Sequence, residues 1–288
     1  MLGIGVQSAC IRAVAQVRHR RYRLIGKAIM TSANTVSLDG KRGLVVGIAN
    51  GSSIAAGCAR AFAAAGATLA ATYLNEKALP HVRAVTEPLG CDLLLPCDVH
   101  VPGQLEAVFE RIRGEWGRLD FLLHAIAFAP AADLHGRVVD CSAEGFGLAL
   151  DISCHSFLRM AHLAEPLMTD GGCLLTVTFF GSERVVPHYN LMGPVKAALE
   201  SAMRYTAAEL GPKQIRAHAI SPGPIRTRAA GGLDHFEDMM AEAAALAPER
   251  HLVDTDDVGS LAAFLVSDGA RRITGTIILV DGGAHLVA

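Results

Sequence analysis

Gly43-Leu44-Val45-Val46-Gly47-Ile48-Ala49-Asn50-Gly51-Ser52-Ser53-Ile54-Ala55-Ala56-Gly57 is the stretch on which the fold turns. Leu44 to Val46 is an apolar run between glycines, the pattern of a short buried strand. From Ile54 the chain becomes alanine-rich, and Gly66 ends that run, so a helix is expected over 54–65. The turn between them is built from glycines and paired serines. Glycines at Gly47 and Gly51 let a backbone approach a pyrophosphate, Ser53 offers a hydroxyl to a phosphate oxygen, and the helix N-terminus at Ile54 adds the positive end of its dipole. The G-x-G-x-x-G spacing is absent, and a Gly/Ser-rich turn with no ligand is the competing reading. Its place after the first strand of a βαβ series favours the ligand.

Beyond this unit, apolar runs alternate with amphipathic segments. Strands are expected at 67–73, 92–97, 119–125, 173–180, 215–221 and 276–280. Helices are expected between Pro80 and Pro88 and at 104–116, 144–168, 188–210 and 254–266. The series implies an α/β fold: a single doubly wound, Rossmann-like domain over residues 38–288, with a parallel sheet of about seven strands and helices on both faces. Residues 1–37 form a basic extension, carrying Arg12, Arg18, Arg20, Arg21, Arg23 and Lys27 and no acid. It is expected to be dispensable or disordered, with Met30 as an alternative start; an organellar targeting segment is the other reading.

Composition narrows the function. A 288-residue chain that is 51% hydrophobic and 19% charged can bury one large core. Its net charge of −2, with basic residues dispersed outside the N-terminus, provides no field for nucleic acid. Seven cysteines without a C-x-x-C pair argue for a reducing compartment and against a zinc site, and the histidines show no ligand spacing, so no metal is expected. The absence of any long uninterrupted apolar stretch argues against a membrane span, and a soluble, cytoplasmic protein is expected.

Tyr189 and Lys196 stand seven residues apart. On one helix that spacing sets both on one face, about two turns apart. A phenol can donate to an oxygen that gains negative charge, while an adjacent ammonium keeps the phenol ionisable and grips sugar hydroxyls. Such a pair also arises as an unrelated surface Lys and half-buried Tyr; the dinucleotide unit upstream favours catalysis. Asp98, at the end of the third strand, is placed either to accept from an adenine amino group or to cap the next helix. After the second strand, Tyr73-Leu74-Asn75-Glu76-Lys77 lacks both usual cofactor discriminators; Leu74 at the adenosine-facing position and Glu76 opposing a 2′-phosphate favour NADH over NADPH.

These features resemble the short-chain dehydrogenase/reductase superfamily. The Tyr-x6-Lys spacing and the loop ending Ser53-Ile54-Ala55 are similar to its bacterial enoyl-acyl-carrier-protein reductase branch, as are Cys97-Asp98-Val99, His124 to Pro130, Gly181-Ser182-Glu183-Arg184, Pro187 to Gly193, Ile220 to Thr227 and Val280-Asp281-Gly282-Gly283. The resemblance runs from about Leu38 to the C-terminus. It implies reduction of a trans-2-enoyl thioester by hydride from NADH in fatty acid synthesis, with an enoyl-acyl-carrier-protein substrate and a homotetramer. It also implies that Tyr189 bonds the thioester oxygen and Lys196 the nicotinamide ribose. By the same resemblance Gly47, Ser53 and Ile54 line the phosphates, Asp98 and Val99 the adenine, and Ile126 the adenosine. Ile225 and Thr227 would meet the nicotinamide and its phosphate, and Ala129 and Phe179 the acyl thioester.

Phe179 stands where the family commonly has a second tyrosine, and Ala125 and Ala127 replace a serine and a glycine. These departures bear on the acyl substrate more than on hydride transfer. The nearest rival is a carbonyl reductase or alcohol dehydrogenase, which needs a serine about 13 residues before the tyrosine and a lysine four after it; this chain has Thr176 and Gly193 there. A non-catalytic dinucleotide sensor or partner subunit is the rival from another class. The segment 222–248, with Gly231, Gly232 and Met239-Met240, is expected to form either a mobile lid over the acyl chain or a fixed amphipathic helix.

Overall fold

The seven strands are β1 (Arg42–Val46), β2 (Thr68–Tyr73), β3 (Leu93–Pro96), β4 (Phe121–His124), β5 (Gly172–Val177), β6 (Ile215–Pro222) and β7 (Thr276–Val280). All pair in parallel, in the order β3-β2-β1-β4-β5-β6-β7. The structure, a computed structural model, describes residues 36–227 and 235–287. Residues 1–35 of the basic extension, and the Gly231-Gly232 hinge, lie outside the described residues.

The interior strands are buried on both faces, which is why they read as continuous apolar runs rather than alternating ones: Leu44, Val45, Leu122, Leu123, Leu174 and Leu175 are all fully buried. Strand order reverses at β1, where β2 continues to one side and β4 to the other. The carboxyl ends of β1 and β4 therefore open a crevice, the place where doubly wound sheets bind ligands.

The nine α-helices of the described residues are α1 (Ile54–Ala64), α2 (Leu79–Thr86), α3 (Gln104–Trp116), α4 (Ala131–Leu134), α5 (Ala143–Leu150), α6 (Ser156–Ala164), α7 (Met192–Leu210), α8 (Phe236–Leu246) and α9 (Thr255–Val266). Helix α1 is fixed by a close crossing with α9. A Cβ on Gly57 would lie 2.1 Å from Thr255 O, and one on Gly259 would lie 2.6 Å from Gly57 O, so glycine at both positions lets the two backbones touch. Asp254 caps α9 in a reciprocal capping box with Asp257, and Arg60 of α1 bonds Asp256. The helix whose N-terminus faces the crevice is thus anchored from behind.

Two expected helices are corrected. The helix expected at 188–210 begins only at Met192. Pro194 has no N–H and is tolerated only in a first turn, and His188 and Asn190 take positive φ values of 64° and 43°, so 188–191 forms turns instead. The helix expected at 144–168 is interrupted by a π-turn, Asp151–His155, and closes in a 3-10 turn, Glu165–Leu167. Ser156 Oγ donates to Ile152 O in the first of these, a side-chain bond that competes with the regular ladder. The strand expected at 173–180 ends at Val177, freeing 178–182 to shape the site.

Candidate functional site

The first functional turn follows β1. Gly47 has a φ of 114°, and a Cβ there would meet Ala125 O at 2.2 Å, so glycine is required by both conformation and the neighbouring strand end. Ser53 occupies the N-cap position of α1 but does not cap it. Its hydroxyl donates to Asn50 O at 2.7 Å, and Asn50 Oδ1 accepts from the Ser52 amide and hydroxyl. The loop is tied to itself, leaving the N-terminus of α1 toward the crevice; Ile54 lines the cavity described below.

The residues expected on the adenine side follow β2, β3 and β4. Leu74 follows β2 and is 55% exposed, an apolar side chain held in the open beside the crevice. Asp98 follows β3, and its Oδ1 accepts from the His100 amide at 2.9 Å in a local turn; it does not cap the next helix, whose N-cap is Gly103. Val99 is buried, with its carbonyl accepting from Arg159, and Ile126 packs at the core edge just after β4. None of Gly47, Ser53, Leu74, Asp98, Val99 and Ile126 lines the central cavity.

That cavity has a volume of about 200 Å³ and is lined mostly by apolar side chains. Eight residues singled out from sequence meet on its wall: Ile54, Ala127, Ala129, Phe179, Tyr189, Lys196, Ile225 and Thr227. Tyr189 comes from the turn before α7 and Lys196 from its second turn, so tertiary placement rather than a shared helical face joins them. The Tyr189 ring packs edge-on against Phe179, with centroids 4.8 Å apart, and over Gly181, where a Cβ would lie 2.5 Å from the ring. Asn190 Nδ2 donates to Leu134 O, joining this turn to α4. Ser153, in the π-turn, accepts from the Phe128 amide and donates to its carbonyl, fixing the 127–129 wall.

Burial governs the charges. Lys196 is 4% exposed and donates to Val177 O at 2.7 Å. Desolvation pulls its pKa down to about 8, against the opposing pull of the Glu200 carboxylate and of Cys154. Tyr189 moves the other way: burial and then the Glu200 charge push its phenol above the ordinary tyrosine range. The ammonium therefore does not make the phenol more acidic, as the sequence reading expected. Tyr189 is a neutral donor.

Sequence reasoning missed Thr178, Leu134, Met192 and Pro222 on the cavity wall, and Glu200 behind it. The strand-end position of Thr178 was the available signal. Thr176, the stand-in for a carbonyl reductase's serine, is fully buried and bonds His124 Nδ1 at 2.9 Å; His124 Nε2 meets Ser156 Oγ at 2.8 Å. It is spent on the sheet interior, away from the cavity.

The donor set suits a nicotinamide dinucleotide. Lys196 has three N–H donors and uses one on Val177 O, leaving two for sugar hydroxyls, and the apolar wall of Ile225 and Ile54 can cover a flat ring. A helix N-terminus and a glycine turn supply the anion end.

A family profile described as Enoyl-(Acyl carrier protein) reductase matches residues 47–285. The chain is 46% identical to the enoyl-[acyl-carrier-protein] reductase [NADH] FabI of Nostoc sp., over 88% of this chain and 99% of that protein. It is 44% identical to enoyl-[acyl-carrier-protein] reductase [NADH] 2 of Rhizobium meliloti, over 87% and 94%. A crystal structure of the Anaplasma phagocytophilum enoyl-(acyl-carrier-protein) reductase in complex with NAD superposes with a TM-score of 0.84 at 45% identity, covering 87% of this chain and 96% of that one.

Proposed function

The chain belongs to the enoyl-(acyl-carrier-protein) reductase family and is an NADH-dependent reductase of 2-enoyl thioesters in fatty acid synthesis, and on that premise we propose which of its residues carry the reaction. Tyr189 and Lys196 are the catalytic pair. The observation that carries this assignment is their convergence, from a turn and a helix, on one apolar cavity together with Ile54, Ile225 and Thr227.

Bound NADH supplies a hydride to the β-carbon of the enoyl group. Negative charge then collects on the thioester oxygen, and a proton from solvent taken up at the α-carbon would complete the reduction and leave NAD+. The Tyr189 phenol donates to that oxygen, and its raised pKa keeps the proton in place at neutral pH. Lys196 holds the nicotinamide ribose with its remaining donors, below the pH at which it loses its charge. Because the site is walled by Ala129, Phe179 and Met192, little water competes for the oxygen, and each hydrogen bond counts for more.

Gly47, Ser53 and Ile54 hold the phosphates, Asp98 and Val99 the adenine, and Leu74 and Ile126 the adenosine edge; Ile225 and Thr227 meet the nicotinamide end. Ser53 serves by shaping the loop, since its hydroxyl and its amide both donate to Asn50 O. Phe179 and Ala129 bound the acyl thioester. The substrate is carried on acyl-carrier protein, the enzyme works as a cytoplasmic homotetramer, and residues 1–37 are not needed for catalysis.

The test follows nicotinamide absorbance as purified protein meets NADH and either a 2-enoyl or a 3-ketoacyl thioester. Enoyl turnover is expected. Turnover of the ketoacyl thioester alone would replace this reading with carbonyl reduction.

A further inference from the structure

Glu200 is a buried carboxylate that the mechanism above leaves unused. It is 4% exposed on α7, one turn beyond Lys196. Its Oε1 accepts from Thr178 Oγ1 and from Ser182 Oγ, each at 2.5 Å. Those hydroxyls bracket the segment 178–182, which sets Phe179 against the Tyr189 ring and Gly181 beneath it. Val177, immediately before the segment, gives its carbonyl to the Lys196 ammonium. One carboxylate therefore braces the backing of Tyr189 and sits one helical turn from Lys196 on α7.

The groups around Lys196 from other elements are neutral at working pH. His124, at the end of β4, is held uncharged by burial, with a pKa lowered to about 3, and the Cys154 thiol of the π-turn is pushed up by burial. Tyr189 remains a phenol. The Glu200 carboxylate is the neighbour that opposes desolvation of the ammonium most strongly.

We propose that Glu200 is a positioning residue for the reduction: its carboxylate keeps the Lys196 ammonium charged and, through Thr178 and Ser182, seats the 178–182 segment behind Tyr189. This rests on the enoyl-reductase reading above. Glu200→Gln keeps the shape and removes the charge; Glu200→Asp keeps the charge and shortens the reach.

Both variants and the wild type are compared from pH 6 to 9, by NADH binding followed through nucleotide fluorescence and by kcat and KM with an enoyl thioester. Wild-type affinity falls as pH rises through about 8, where Lys196 discharges. In Glu200→Gln the limb lies about one unit lower, the size expected when an opposite charge one helical turn away in a buried site is removed. Affinity at pH 8 is then about fivefold below wild type and recovers near pH 6. In Glu200→Asp the limb stays in place while kcat falls. A Glu200→Gln limb that overlays the wild type overturns the proposal, as does a loss equal at every pH. If the glutamine variant does not fold, a displaced limb in Glu200→Asp overturns it and an unmoved one supports it. A wild-type protein that binds NADH but reduces no enoyl thioester defeats the underlying reading, and the binding titration still judges Glu200.

Discussion

Replacing Tyr189 with phenylalanine separates chemistry from folding at this site. The hydroxyl makes no hydrogen bond among the described residues, so its removal leaves no buried partner stranded, and the ring keeps its contact with Phe179 at 4.8 Å and its seat over Gly181. Stability should change by less than about 0.5 kcal/mol. In the transition state the same hydroxyl bonds an oxygen carrying negative charge, an interaction worth about 1.5–3 kcal/mol. At 1.36 kcal/mol per factor of ten, kcat falls roughly ten- to 150-fold, towards the lower end where water enters the vacated space. Steady-state kinetics at saturating NADH with a 2-enoyl thioester, run beside a thermal melt, reads both quantities. A kcat within threefold of wild type would refute the assigned role. So would a melting temperature that drops in step with activity, because the tyrosine would then be structural.

Three further outcomes are expected. Thr176→Val leaves His124 short of a partner and destabilises the protein by about 1–3 kcal/mol in urea while kcat stays near wild type; a collapse of kcat in a stable variant would revive the carbonyl-reductase reading. Gly57→Ala forces α1 and α9 apart, because the new Cβ would lie 2.1 Å from Thr255 O, and costs about 1–3 kcal/mol, whereas Gly51→Ala meets nothing within 4 Å and costs under about 0.5 kcal/mol; equal unfolding midpoints for the two would contradict the packing argument. His124 is buried neutral, with a pKa lowered to about 3 from 6.5, so between those values the unfolded chain binds a proton that the native one refuses, and stability falls as pH falls. Between pH 7 and 5 this amounts to about 2 kcal/mol; buried His218, lowered to about 4, adds its own loss in both proteins, so His124→Gln should lose about 2 kcal/mol less than wild type in urea titrations at the two pH values.

Much of the scaffold was legible because its signals are local. The apolar run of β1, the glycines of the following turn and the alanines of α1 lie within the 23 consecutive residues from Arg42 to Ala64, and β7 was placed at its observed bounds. Where the expectation failed, a competing local bond was responsible. Ser156 bonding back to Ile152 O opened the π-turn, and Pro194 with two positive-φ residues held α7 back to Met192. Both signals were present in the sequence, but neither outweighs helical periodicity until the segment is packed.

The sequence by itself determined the order of βα units, the glycine turn and the residue types of the proposed catalytic pair, because each depends on backbone sterics and on periodicities that reach only a few residues. Only the tertiary structure decided that Tyr189 meets Lys196 from a turn rather than along a helix face, that Thr176 is spent on His124, and that Glu200 bonds Thr178 and Ser182 behind the proposed catalytic groups. Those outcomes depend on which side chains share a buried, low-dielectric space. That is set by how β4, β5 and α7 pack, and no spacing along the chain encodes it.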